Sequence, residues 1–213
     1  MNPLTKIIQA TENRKTRLHD LSGNIVGPSG LLNMPMAIAT GLLLKINGSR
    51  PAVPWISYRA TRTIKGLARK DWKILECGSG MSTLWLSQHC EFLHSIESNP
   101  GWHEKVKSII EEKGLKNIKY ELRSPETYAD FSSYEDGYFD FVLIDGLKRD
   151  ACVRNIESKV KPGGYIYLDN TDQEPQAEKD LLEVIKRRGG SLSYFTDFAP
   201  TCFHVTQGAL AKF

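Results

Sequence analysis

Lys73-Ile74-Leu75-Glu76-Cys77-Gly78-Ser79-Gly80-Met81-Ser82-Thr83 runs from a short apolar segment through a turn of small residues into hydroxyl-bearing positions. It reads as a strand, a tight turn and the opening of a helix. Glycines let the backbone of such a turn approach a ligand closely, and free N–H groups at a helix start offer donors to it. Glu76 ends the strand, and Gly78, Ser79, Gly80, Ser82 and Thr83 surround the turn, so these are candidate contacts to a nucleotide-like cofactor. The dinucleotide fingerprint needs a third glycine where Thr83 stands. A smaller adenosine-bearing ligand suits the stretch better than NAD or FAD.

The flanking sequence repeats the pattern. Phe92–Glu97 reads as a second strand, ending on a carboxylate about 20 residues after the glycines, where an acid can accept both ribose hydroxyls. Ser98-Asn99-Pro100-Gly101 supplies turn and cap residues before a helix over Trp102–Lys113. A third strand, Ile118–Arg123, leads into Ser124-Pro125-Glu126. The fourth, Phe139–Gly146, is an apolar run that reaches Asp145. The fifth, Gly164–Asn170, follows the turn Lys161-Pro162-Gly163-Gly164 and ends on Asp169-Asn170, ahead of a helix over Glu174–Arg188. Strands alternating with helices predict a parallel sheet whose carboxyl ends form the ligand edge.

In this order, the residues resemble the class I S-adenosylmethionine-dependent methyltransferases from Trp55 to Phe213. Glu76-x-Gly78-x-Gly80 is similar to the family's first motif, Glu97 (with Ser98) to its ribose-binding acid, Ser124-Pro125-Glu126 to its adenine-side loop, and Lys161-Pro162-Gly163-Gly164 to its turn before the fifth strand. The resemblance implies a Rossmann-like, doubly wound α/β sheet of seven strands, mostly parallel with an antiparallel last strand. Ser191–Phe198 and Cys202–Thr206 are the expected closing pair, with Gly208–Phe213 as a tail. It also implies S-adenosyl-L-methionine as cofactor, with Glu76 at its amino end. Residues 1–54 are then an N-terminal helical cover over a substrate pocket or a homodimer face, and 55–213 the cofactor domain. Tyr58, in Pro54-Trp55-Ile56-Ser57-Tyr58-Arg59, stands where such enzymes fold a segment over the cofactor's methionine end.

Asp145 with Lys148 three residues on, and Asp169-Asn170 after the next strand, resemble the catechol-type O-methyltransferases. That resemblance implies Asp145, Asp169 and Asn170 as ligands to Mg2+, with Lys148 and Asp145 in catalysis and Lys148 as the base that takes a hydroxyl proton. Three oxygens at adjacent strand ends suit a hard divalent cation that polarises an acceptor oxygen. Gly146 departs from the pattern, where those enzymes carry a bulkier polar residue. The same residues also read as ordinary helix starts: an acidic first turn after Lys148, and an Asp-Asn-Thr cap before the helix at Glu174. Metal-free methyl transfer, with Asp145 touching cofactor or substrate, remains open beside the metal reading.

At 213 residues the chain suits one folded unit. A formal charge of +3 gives nucleic-acid binding little support, and Arg59, Arg62, Lys65, Arg69 and Lys70 read as a solvated helix face. Cys77, Cys90, Cys152 and Cys202 lack paired metal spacing, so reduced thiols and a cytoplasmic setting are expected. Ile7–Leu21 mixes apolar and charged residues. Leu31–Ile46 is more apolar but carries Pro35 and Gly41, and reads as too short to span a membrane. The expected partner is a small-molecule acceptor, with a hydroxyl oxygen methylated. The base-methylating signature Asn-Pro-Pro-Tyr is absent at Asp145-Gly146-Leu147-Lys148. A catalytically silent relative, or a polyamine-type nucleotide-ligand binding protein, is the alternative that turnover would separate.

Overall fold

The computed structural model describes residues 13–213. Seven strands, β1 (Lys73–Cys77), β2 (Phe92–Glu97), β3 (Ile118–Leu122), β4 (Phe139–Ile144), β5 (Val160–Leu168), β6 (Ser191–Phe198) and β7 (Val205–Lys212), form one sheet in the order 3-2-1-4-5-7-6. Strands β1 to β5 pair in parallel, and β7 runs antiparallel to both of its neighbours, β5 and β6. The helices are α1 (Pro28–Leu31), α2 (Met34–Asn47), α3 (Tyr58–Leu67), α4 (Met81–Ser87), α5 (Pro100–Glu112), α6 (Arg149–Ile156) and α7 (Pro175–Arg188). This is the expected Rossmann-like, doubly wound α/β architecture.

Central strands are apolar almost throughout because helices cover both faces. Leu75, Val142, Ile144, Ile166 and Leu168 pack with Cys152, Val153 and Ile156 of α6 and Ala177, Leu181 and Val184 of α7. On the opposite face Ile74, Phe141, Leu143 and Tyr167 meet Ile56, Ala60 and Ile64 in and before α3. Side chains alternate along a strand. Glu76, Asp145 and Asp169 therefore continue this second face and emerge together at the carboxyl edge.

The closing strands correct the expected boundaries. β7 begins at Val205, after Cys202, and continues to Lys212 through the segment read as a tail. It is bonded on both sides, and Gly208 is needed there: a Cβ would lie 2.1 Å from Tyr167 Oη. The fifth strand also starts earlier than Gly164. Lys161–Gly164 bulges between the pairs Phe139↔Val160 and Phe141↔Tyr165, with Lys161 Nζ 2.7 Å from Asp140 Oδ1.

Of the run Ile7–Leu21, residues 7–12 lie outside the described residues. Neither Pro35 nor Gly41 breaks α2. Pro35 occupies its first turn, where no N–H is required, and Gly41 accommodates the Phe203 ring, whose nearest carbon would be 2.5 Å from a Cβ. Pro28–Asn47 taken as one span is long and apolar enough to cross a membrane by length and composition, whereas α1 and α2 are each shorter than that. Leu32, Met36, Leu42, Leu43 and Ile46 are exposed on it. Its inner side is tied to the sheet by Asp197 of β6, a fully buried carboxylate. Asp197 accepts hydrogen bonds from Asn33 Nδ2 (3.0 and 2.8 Å), Ser57 Oγ (3.3 Å) and the backbone N–H groups of Arg59 and Phe198 (3.0 and 2.8 Å).

Candidate functional site

The turn after β1 is shaped by two glycines that meet back to back. Gly78 has φ +99°, and a Cβ on it would lie 2.7 Å from both N and Cα of Gly146. Gly146 has even less room, since its Cβ would sit 2.0 Å from Tyr128 Oη. Its glycine, the departure noted in the sequence, is thus dictated by packing. Gly80 differs: a Cβ there would meet nothing nearer than 3.9 Å, so the space above it is open to a ligand.

That space belongs to a cleft of about 400 Å³ at the carboxyl edge. Gly78, Ser79, Gly80, Met81 and Ser82 line one side; Glu97, Ser98 and Trp102 another; Asp145, Gly146, Leu147 and Trp55 complete it. Glu97 is fixed before any ligand arrives. Its Oε1 accepts from the N–H groups of Ser98 and Asn99 at 2.7 and 2.8 Å, and its Oε2 from Ser79 N and Oγ at 3.2 and 3.0 Å. Trp102 is held by Nε1 donating to the Ser79 carbonyl at 2.8 Å. Arg50 lies 5.1 Å from the Trp55 ring and 5.3 Å from Trp102, closing the mouth from the N-terminal side.

Glu76 is fully buried below the turn. Its Oε2 accepts from Thr83 Oγ1 and Ser95 Oγ, each at 2.5 Å, while Oε1 has no hydrogen-bond partner. Burial pushes its carboxyl up to about 7, with the hydroxyls of Ser82, Ser95 and Thr83 offsetting part of the effect. Trp55 Nε1 is likewise buried without a partner. An orphan acceptor and an orphan donor beside an open glycine fit an amino-acid-bearing cofactor.

The sequence candidates divide on inspection. Gly78, Ser79, Gly80, Ser82, Glu97, Ser98 and Asp145 line the cleft. Thr83 does not; it is buried as a strut, accepting from Gly80 N at 3.0 Å while donating to Glu76. Tyr58 packs beside Val26, Ala37, Phe198 and Val205, 3.4 Å from Thr40 Oγ1, so the aromatic side chain facing the cleft is Trp55. Ser124, Pro125 and Glu126 are exposed and outside the lining. Met81, Trp102, Gly146 and Leu147 line the cleft without being candidates in the sequence, although Trp102 directly follows the turn Ser98-Asn99-Pro100-Gly101.

The expected metal ligands and base also need correction. Lys148 is exposed, with φ 49°, and stands outside the cleft lining. Its neighbour Arg149 turns inward instead. Arg149 Nη2 is 3.0 Å from Asp145 Oδ1 and 3.3 Å from the Asp145 carbonyl, Nη1 donates to the Asp169 carbonyl at 2.7 Å and Asn170 Oδ1 at 3.1 Å, and Nε donates to the Gly146 carbonyl at 3.1 Å. Two of the side chains predicted to share a magnesium ion, Asp145 and Asn170, thus meet a guanidinium, whereas Asp169 meets it only through its backbone carbonyl. Among the described residues no group of three His, Cys, Asp or Glu side chains is placed to hold a metal. The Asp169 carboxylate, 3 % exposed, receives the Tyr167 hydroxyl at 3.1 Å; burial, then the charge of Asp145, push its carboxyl well up, and Arg149 opposes them.

Residues 75–171 match a family model described as a methyltransferase domain. No curated protein matches by sequence. Among solved structures, an O-methyltransferase from Bacillus cereus in complex with SAH is 17 % identical, with 84 % of this chain and 98 % of that one covered and a TM-score of 0.62. An rRNA methylase from Streptococcus thermophilus is 10 % identical over 77 % of this chain and 96 % of that one, with a TM-score of 0.59. A tRNA (m1A58) methyltransferase from Aquifex aeolicus is 16 % identical over 81 % and 75 %, with a TM-score of 0.54. At these identities the three share a fold with this chain.

Proposed function

We propose that this chain, with a methyltransferase-domain match over residues 75–171 and the seven-stranded sheet described above, is a class I S-adenosylmethionine-dependent methyltransferase that methylates a hydroxyl oxygen of a small-molecule acceptor. The observation that carries the reading is the cleft itself, lined at one sheet edge by the carboxylates of Glu97 and Asp145, with the buried Glu76 beneath its glycine turn. Glu76 Oε1 faces the cofactor's ammonium group, directly or through water. Ser79 Oγ, which also lies 2.7 Å from Tyr120 Oη, turns from Glu97 Oε2 and leaves that oxygen to a ribose hydroxyl. Trp55 and Trp102 bound the cofactor on either side. When bound, S-adenosylmethionine supplies an electrophilic methyl group.

The remaining work is alignment and proton removal. Asp145 lines the cleft with 31 % of its side chain accessible, and it is the group in reach of an acceptor's proton. Lys148, facing solvent, has no part in this reading. An oxygen acceptor is favoured by carboxylates at the ends of β4 and β5 and by Asp145-Gly146-Leu147-Lys148 in place of a base-methylating signature. The test has two readouts. Mass spectrometry and calorimetry should find S-adenosylhomocysteine bound, and labelled methyl should enter hydroxyl compounds of a small-molecule panel. Label confined to RNA or DNA would overturn the acceptor reading, and absence of S-adenosylhomocysteine binding would overturn the cofactor.

A further inference from the structure

An arginine has five N–H donors; Arg149 makes four hydrogen bonds, to the carbonyls of Gly146, Asp145 and Asp169 and to Asn170 Oδ1, and pairs its charge with the Asp145 carboxylate. Its side chain is only 13 % exposed. The backbone is bent on both sides to allow this. Lys148 and Asn170 have φ of 49° and 51°, two of the three non-glycine residues in the left-handed region among those described. Such conformations cost on the order of 1 kcal/mol or more and persist where surrounding contacts repay them. At Lys148 the bend delivers the next residue inward; at Asn170 it accompanies an amide oxygen and the preceding carbonyl that meet the same guanidinium.

We propose that Arg149 is a built-in cation standing where a divalent metal would stand, a positioning residue that balances Asp145, ties the ends of β4 and β5 together and aims Asp145 into the cleft. The proposal rests on the methyl-transfer reading of that cleft. A magnesium ion takes six oxygens at roughly 2.0–2.1 Å and keeps positions open for substrate oxygens. A planar guanidinium already holding four protein oxygens by hydrogen bonds offers no such set of open positions. The acceptor is therefore not recruited by chelation, a pair of adjacent hydroxyls has no advantage over a single one, and the carboxylate, not the cation, meets the acceptor.

Mn2+ binding followed by electron paramagnetic resonance tests the proposal, with S-adenosylhomocysteine calorimetry in parallel. The wild type and Arg149→Lys should bind no Mn2+, and wild-type affinity for S-adenosylhomocysteine should be unaltered by a chelator. Arg149→Ala should acquire one Mn2+ per chain, lost again when Asp145→Asn is added. One Mn2+ bound to the wild type and lost in Asp169→Asn would overturn the proposal. So would an Arg149→Ala protein, folded by circular dichroism, that gains no Mn2+. If Arg149→Ala does not fold, the wild-type titration still decides. Failure of S-adenosylhomocysteine to bind strikes the cofactor reading alone, because the Mn2+ measurement does not involve it.

Discussion

With Glu76 opposite the cofactor's ammonium group, as proposed above, cofactor affinity should depend on pH in a window unusual for a carboxylate. Its burial raises the carboxyl from 4.5 to about 7, so the free protein carries much of this group protonated under mildly acid conditions. An ammonium partner requires the ionised form. Between pH 5 and 7 the α-amino group of S-adenosylhomocysteine, more basic than a peptide N-terminus, stays protonated, so Glu76 dominates the response. Two pH units below about 7, roughly 1 % of Glu76 is ionised, and affinity should fall by up to about 100-fold, or about 2.7 kcal/mol. Isothermal calorimetry at pH 5, 6, 7 and 8 measures the slope, and buffers of different ionisation enthalpy should reveal a proton released on binding at pH 6. Glu76→Gln should bind weakly and without the slope. A constant wild-type affinity from pH 5 to 7, or a slope kept in Glu76→Gln, would refute the reasoning. The linkage has a counterpart in stability. The folded value lies above the unfolded one, so the free protein binds more protons than its unfolded chain between pH 4.5 and 7 and loses roughly 3 kcal/mol across that window as pH rises.

Other positions give independent checks. Gly146→Ala should cost about 1–3 kcal/mol through overpacking against Tyr128 Oη, and Tyr128→Phe in the same chain should recover part of it in a thermal double-mutant cycle. Equal melting points for Gly146→Ala and wild type would remove the steric argument. Asp197→Ala strands donors from Asn33, Ser57, Arg59 and Phe198, so chemical denaturation should show a loss of at least about 2 kcal/mol. Glu97→Ala should weaken S-adenosylhomocysteine by about 2 kcal/mol, roughly 30-fold by calorimetry. Once an acceptor is in hand, Asp145→Asn should lower kcat more than it raises KM, whereas Lys148→Ala should leave both near wild type.

The sheet was legible because its signal is redundant. Every central strand is an apolar run ending on an acid, and a period of two carries Glu76, Asp145 and Asp169 to the same face without knowledge of any long-range contact. What stayed hidden depends on single backbone angles or on partners distant in sequence. Lys148 and Arg149 are adjacent cations, and only the left-handed turn at Lys148 decides which enters the fold. Trp55 and Tyr58 are similarly paired: Ser57 caps α3 by accepting from Ala60 N at 3.2 Å, leaving Trp55 before the helix and Tyr58 inside it. Thr83 reads as a ligand contact by position but spends its hydroxyl on Glu76. Gly208 reads as the start of a tail, because nothing local announces that Tyr167 lies over it.

The contact between Gly78 and Gly146 has a mechanical meaning. With no side chain between them, the turn after β1 and the turn after β4 share a joint of bare backbone, and nothing soft is present to absorb a displacement. Filling of the cofactor half must therefore be felt at once by Asp145, one residue from that joint, and an acceptor pressing on Asp145 must be felt in return by the glycine turn. The same joint restrains drift over evolutionary time: a methyl group at Gly78 requires the opposite turn to withdraw, and one at Gly146 requires both that turn and Tyr128 to give way.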